Sequence, residues 1–124
     1  MVISGTRHHE NGSANAVERY DTLSNTWHEL PRLKVGRYRH GSCAIENQIF
    51  VFCGMDRNAN KVRSIEILDT SNLSTGWKLI EAPNLGERIF PGVQALNNSE
   101  IVILGGNDAI WNFLSDCYVF NIHN

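Results

Sequence analysis

The sequence predicts an all-β protein built from repeated antiparallel sheets of four short strands. The first observation is an apolar run that ends in glycine and occurs three times, as "VISG" at 2–5, "IFVFCG" at 49–54 and "IVILGG" at 101–106. The final glycines of these copies are separated by 49 and 52 residues. The second observation is that no window of a dozen residues keeps apolar side chains at helical spacing. A strand-only period of about 50 residues is typical of β-propeller blades.

Further landmarks keep this period and place the strands within it. Trp27 and Trp77 lie 50 residues apart, and "RYRHG" at 37–41 matches "RIFPG" at 88–92. Four strands are predicted in the middle copy: Gly41 to Glu46, Gln48 to Cys53, Ser64 to Asp69 and Gly76 to Glu81. The first two flank a polar turn and predict a hairpin, and the third alternates apolar with polar residues as a half-buried strand does.

The outer copies are incomplete. The first begins at its second strand, Val2 to Ser4, and the last stops after its third strand, Cys117 to Ile122. We therefore expect ten strands in about two and a half four-stranded blades: a partial blade at 1–35, a complete one at 36–85 and a partial one at 86–124. Since propellers close with about four to eight blades, we expect a piece of a larger propeller, or one completed by further chain or by oligomerisation.

The sequence resembles the kelch-repeat family over nearly its whole length. Kelch blades carry a glycine pair after the second strand, then a tyrosine and, some residues later, a tryptophan. This chain departs from that pattern where Cys53 replaces a glycine and where Leu68 and Phe120 replace tyrosines. The matching residues, which we expect to be structural, are Gly54, Gly105, Gly106, Tyr20, Trp27 and Trp77.

Physical reasons for these residue types are clear. Strands near the propeller axis are crowded, and glycine tolerates both close approach and positive φ. Aromatic rings on the outer strands bury about 150–250 Å² each and can fill the wedge between neighbouring blades. We expect the indole N–H groups to meet loop carbonyl groups.

Composition limits the classes of partner. Hydrophobic residues form 42% of the chain, and 11 basic against 13 acidic residues give a formal charge of −2. This balance favours neither nucleic acid nor an anionic membrane as partner. The three cysteines match no disulfide framework, so we expect each to fill a small buried gap. With no visible signal peptide, a cytoplasmic location is expected.

A set of basic and aromatic residues forms the candidate partner-binding site. One group lies in the connection between a fourth strand and the next first strand, and another in the loop after a second strand; the candidates are Arg37, Tyr38, Arg39, Arg57, Arg63 and Arg88. Resemblance to kelch-type substrate adaptors implies that such an arginine grips a carboxylate of a partner peptide, and a planar guanidinium suits bidentate pairing. The alternative is an ion pair within the blade or a solvated side chain.

Three functions remain open. The first is a non-catalytic protein-interaction module, a scaffold or substrate adaptor whose loops bind a protein or peptide, with an acidic partner favoured. The second is a fragment of a kelch-fold enzyme, either galactose-oxidase-like or a sugar isomerase, and the third is an actin-associated cytoskeletal protein. We expect no enzyme, cofactor or metal site, because "HHE" at 8–10 is two adjacent histidines in a polar loop and no catalytic set is visible.

Overall fold

The computed structural model describes residues 2–3, 15–85, 87–108 and 112–123. These residues form ten β-strands and two 3-10 helices, Leu73–Thr75 and Pro83–Leu85. The strands are β1 (Val2–Ile3), β2 (Val17–Asp21), β3 (Thr26–Leu30), β4 (Gly41–Ile45), β5 (Gln48–Phe52), β6 (Ser64–Asp69), β7 (Trp77–Glu81), β8 (Gly92–Ala95), β9 (Glu100–Leu104) and β10 (Cys117–Asn121). Ser4, Gly5 and the "HHE" loop lie outside the described residues.

Three antiparallel sheets follow one another along the chain. Their strand orders are β1-β2-β3, β4-β5-β6-β7 and β8-β9-β10. The second sheet is complete, whereas the described residues provide no first strand for the first sheet and no fourth strand for the third. The prediction of an all-β fold with partial kelch blades is therefore confirmed. We call these sheets the first, second and third blades.

Strand β5 shows why the chain stacks its blades. It follows the two-residue turn 46–47, and its apolar side chains alternate between two cores. Phe50 and Phe52 point to the core shared with the third blade, and Ile49 and Val51 to the core shared with the first. Because successive side chains of a strand point to opposite faces, an apolar run in the middle blade requires a neighbouring blade on each side.

The core between the first two blades, which we call the first seam, is closed by a tryptophan. Its buried members are Val17, Leu33, Ile49, Val51, Leu68 and Trp77. Trp77 is only 1% exposed, and its Nε1–H donates to the carbonyl oxygen of Pro31 at 2.7 Å. The buried indole therefore has both its apolar ring and its polar group satisfied.

Trp27, which occupies the same place in the first blade, differs from expectation. It is 54% exposed and contacts the Tyr20 ring at a centroid distance of 5.0 Å. The expectation that it fills a wedge between blades is wrong for the described residues, because they place no sheet on its side of the first blade.

Two consecutive left-handed residues, the second of them glycine, follow β5 and β9. Gly54 and Gly106 both have φ of +95°, and a Cβ on either would lie 2.6 Å from a backbone oxygen of the preceding connection. The residues just before them, Cys53 and Gly105, are also left-handed, with φ of 62° and 55°. Only the second position of each pair therefore demands glycine on grounds of space, which explains how the chain accepts Cys53.

The cysteines have three different environments. Cys53 is buried and Cys43 is half-buried, and burial raises the pKa of each thiol to about 11. Cys117 is exposed at the start of β10. The expectation of a buried gap-filling role is therefore wrong for Cys117, whose side chain points away from the blade core.

Candidate partner-binding face

The connections between blades lie beside the loops that follow the second strands. Tyr38 pairs with Met55 by two backbone hydrogen bonds of 2.9 Å, and Met55 in turn bridges to Lys61. The third blade repeats this arrangement with Ile89, Asn107 and Phe113. The second and third blades thus each bring one connection and one loop to the same end, and we call this end the loop face.

Each of these loops is held by an aspartate and an asparagine. Asp56 N–H donates to the carbonyl oxygen of Asn60 at 2.8 Å, and the Asn60 backbone N–H donates back to Asp56 Oδ1 at 2.9 Å. Asp108 and Asn112 make the same pair of bonds at 3.0 and 2.9 Å. These aspartates form turns, as short polar side chains do in loops, and they leave the Arg57 side chain exposed at the tip.

Arg37 lies inside the second blade. Its guanidinium is fully buried, 2.7 Å from a buried carboxylate oxygen of Glu66, and it also donates to the backbone oxygens of Ser64 at 2.7 Å and Cys53 at 3.4 Å. Burial lowers the pKa of Arg37, and the hydrogen bond to Glu66 opposes that shift. The prediction that Arg37 contacts a partner is wrong, because its guanidinium is buried and its N–H groups donate to acceptors within the second blade.

Arg88 repeats Arg37 in the third blade. It is buried and donates to both carboxylate oxygens of Asp116, at 3.1 and 3.0 Å, and to the carbonyl oxygen of Gly105 at 3.0 Å. Its guanidinium also lies 5.1 Å from the centre of the Tyr118 ring. The prediction that Arg88 contacts a partner is therefore also wrong.

Arg39 occupies a different environment at the loop face. It is half-buried, and its guanidinium carbon lies 5.4 Å from the centre of the Tyr38 ring and 5.2 Å from that of Phe90. Arg39 and Phe90 hold equivalent left-handed positions, with φ of 57° and 54°, and Phe90 N–H donates to the Arg39 carbonyl oxygen at 2.8 Å. The repeat itself therefore brings together the arginine of one connection and the phenylalanine of the next.

Two further candidate arginines belong to the loop that follows β5. Arg57 is exposed at the tip of the first loop. Arg63 stands at the end of that loop and forms a solvent-accessible ion pair with Glu87 at 2.5 Å. Such exposed pairs contribute about 0–1 kcal/mol, so Arg63 remains accessible to a competing carboxylate.

Two aromatic residues of this face were missed by the sequence analysis. Phe90 is more than half exposed, and Phe113 is 90% exposed. The available signal was the alignment of "RIFPG" with "RYRHG", which places Phe90 where Arg39 stands. Exposed large aromatic rings next to arginines are a typical composition for a protein-binding surface.

His40 packs beside Gly54, just after the end of β5. A Cβ placed on Gly54 would lie 3.1 Å from His40 Cβ. Burial, reinforced by the charge of Arg37, lowers the pKa of His40, and its buried Nδ1 has no hydrogen-bond partner among the described residues. His40 is therefore neutral near pH 7 and packs as part of the crowded strand exit.

The described part of the chain contains neither a metal-ligand cluster nor a membrane-spanning helix. No group of three or more metal-ligating side chains occurs there. Within the same residues, no helix is long and apolar enough to cross a membrane.

Comparisons with known proteins agree with the repeat. The model of the Kelch motif matches residues 2–34 and 36–74. An F-box/kelch-repeat protein of Arabidopsis thaliana is 29% identical over 109 residues, which cover 79% of this chain and 27% of that protein. The Kelch repeat and BTB domain-containing protein 2 of cowpox virus is 32% identical over 68 residues, covering 55% and 12%. Human Kelch-like protein 38 is 32% identical over 92 residues, covering 73% and 15%. The chain thus spans about a quarter or less of the length of these relatives.

Proposed function

Because the chain belongs to the kelch-repeat family, we propose that its loop face binds an acidic segment of a partner protein without catalysis. The observation that carries this proposal is the guanidinium of Arg39, whose carbon lies within 5.4 Å of the centres of both the Tyr38 and the Phe90 ring. Ring contacts orient the planar fork of an arginine, so less conformational entropy is lost when it meets a carboxylate. Kelch repeats named together with F-box or BTB domains in these relatives support a role in binding proteins. We propose that this role is that of a cytoplasmic adaptor.

The neighbouring residues give this surface its expected chemistry. Arg57 adds a second positive charge at the loop tip, and the exposed rings of Phe90 and Phe113 add apolar area. A partner segment with one or two carboxylates flanked by apolar side chains would match both features. Charge attraction would make its affinity fall with ionic strength.

Selection from a displayed library of random peptides by the purified chain tests the proposal. We expect recovered peptides to be enriched in Asp and Glu beside apolar residues. For a selected peptide, Arg39→Ala is expected to raise Kd at least tenfold and Arg57→Ala by a smaller factor. Lys78→Ala, which removes an exposed cation from β7, is the matched control and should leave Kd unchanged. Peptides without acidic enrichment, or equal binding by the Arg39 variant, would contradict the proposal.

A further inference from the structure

The two blades that form the loop face present different side chains at equivalent positions. Lys61 ends the loop after β5, where it pairs with Met55, and Phe113 ends the loop after β9 by the equivalent pairing. Arg39 and Phe90 hold equivalent left-handed positions in the connections. At both positions the second blade carries a cation and the third blade carries a phenylalanine.

Positive charge is concentrated in the part of the loop face that belongs to the second blade. Its exposed or half-buried cations, which we call the cationic half, are Arg39, Arg57, Lys61 and Arg63. The Asp56 carboxylate in the same loop accepts two backbone N–H groups of that loop, so it serves its own turn. Residues 87–108 and 112–123 contain no lysine, and their one arginine, Arg88, is buried. An incoming carboxylate is therefore attracted to the second blade.

Apolar surface is concentrated in the part that belongs to the third blade. Phe90 is 54% exposed and Phe113 is 90% exposed, and we call these two residues the aromatic half. Aromatic side chains are enriched in protein-binding surfaces, where they bury a large apolar area. The guanidinium carbon of Arg39 lies 5.2 Å from the centre of the Phe90 ring, so the two halves meet at this contact.

Backbone pairing sets the distance between the halves. In the second blade Tyr38 and Lys61 are both paired with Met55, and the third blade separates Ile89 from Phe113 by an equivalent pair of bridges. Since paired residues of neighbouring strands lie about 5 Å apart, each half extends about 10 Å from the junction, and its middle lies about 5 Å from it. The middles of the two halves are thus about 10 Å apart, a distance that an extended chain spans in about three residues.

We propose that the loop face recognises a two-part motif, in which the second blade binds a carboxylate and the third blade binds an apolar side chain about three residues away. The inference rests on the proposed function and adds to it that each blade reads a different residue of the partner. An apolar side chain against Lys61 or a carboxylate against Phe113 would meet no complementary group. The spacing of the two partner residues therefore contributes to selectivity, in addition to their chemistry.

A series of synthetic peptides tests the spacing. Each is a twelve-residue peptide of serine and alanine with one glutamate and one leucine, whose separation varies from one to six residues, and its Kd for the full chain is measured by NMR titration. We expect the tightest binding at a separation near three residues, at least threefold tighter than at one or at six. Equal Kd values across the series, or absence of binding throughout it, would overturn the two-part motif. The proposed function is judged separately, by whether the peptides selected from the random library depend on Arg39.

Two chain variants assign the halves. Lys61→Met should raise the Kd of the best peptide at least threefold but should leave unchanged the Kd of its version with glutamine in place of glutamate. Phe113→Ala should likewise weaken the best peptide and leave unchanged its version with alanine in place of leucine. Such double-mutant cycles isolate the pairwise contribution. Coupling of Lys61 to the leucine, or of Phe113 to the glutamate, would overturn the assignment.

Two variants away from the loop face are the matched controls. Lys78→Ala removes an exposed cation from β7, and Leu23→Ala removes an exposed apolar side chain from the turn after β2. Both should leave Kd unchanged, and circular dichroism checks that all four variants are folded. A control variant that raises Kd as much as Lys61→Met or Phe113→Ala would also overturn the assignment.

Discussion

Arg37 and Arg88 occupy the same position in successive blades but are neutralised in different ways. Each donates to the carbonyl oxygen of the residue that precedes a left-handed glycine, Arg37 to Cys53 and Arg88 to Gly105. The acidic partner of Arg37 is Glu66, two residues into the length of β6 and fully buried. The partner of Arg88 comes just before β10 and is 46% exposed.

Glu66 and Asp116 also differ in their contacts with the backbone. Glu66 accepts the backbone N–H groups of Lys34 at 2.6 Å and Val35 at 3.0 Å, which fixes the connection that enters the second blade. In the third blade Tyr118 takes the position of Glu66 and lies against the Arg88 guanidinium. The repeat thus specifies the arginine and its backbone acceptor, while each blade supplies its own means of neutralising the charge.

The largest effect is expected from Arg37→Met. The substitution leaves the buried Glu66 carboxylate without its counter-ion, which costs about 3–5 kcal/mol in the free energy of unfolding. Urea denaturation followed by circular dichroism measures this loss. The double variant Arg37→Met/Glu66→Gln should recover part of it, since no buried charge remains. If Arg37→Met lowers the free energy of unfolding by less than Arg88→Met does, the two arginine sites do not differ in the way described.

The next effect tests the part that the two blades share. Gly54→Ala and Gly106→Ala each force a Cβ to within 2.6 Å of a backbone oxygen at a φ of +95°, and we expect each to cost about 2–3 kcal/mol. Gly76→Ala is the control for φ alone, because that left-handed glycine has open space around it. Free energies of unfolding, measured by urea denaturation, that differ between Gly54→Ala and Gly106→Ala by more than about 1 kcal/mol would show that the strand exits are not equivalent.

The smallest effect is expected from Arg88→Met, at about 1–2 kcal/mol, because water can solvate the half-exposed Asp116. The hydrogen bond from Arg88 holds the pKa of Asp116 below its ordinary value. A lowered folded-state pKa contributes stability above the unfolded pKa of about 3.9 and loses it as pH falls through the folded value. The stability difference between wild type and variant should therefore be constant near pH 6–7 and narrow below about pH 4. A difference that grows on acidification would contradict this account.

The positions of the strands could be predicted from the sequence, whereas the environments of the arginines could not. Period and alternation predicted the sheets because they record local geometry, two faces per strand and glycine at each crowded exit. The burial of Arg37 depends on Glu66, which lies 29 residues further along the chain, and no local pattern distinguishes that arginine from Arg39. The position of Arg39 depends in turn on Phe90 of the next connection. Exposure of Trp27 has the same origin, since burial of an outer ring is decided by a neighbouring blade.

The aspartate–asparagine loops give the loop face a modular character. Asp56 and Asn60 join the two ends of their loop through hydrogen bonds that involve no side chain of positions 57–59. Asp108 and Asn112 enclose another three-residue interval in the same way. We therefore expect residues 57 and 58 to tolerate exchange without loss of the scaffold, whereas position 59, with a φ of 64°, restricts the choice of residue.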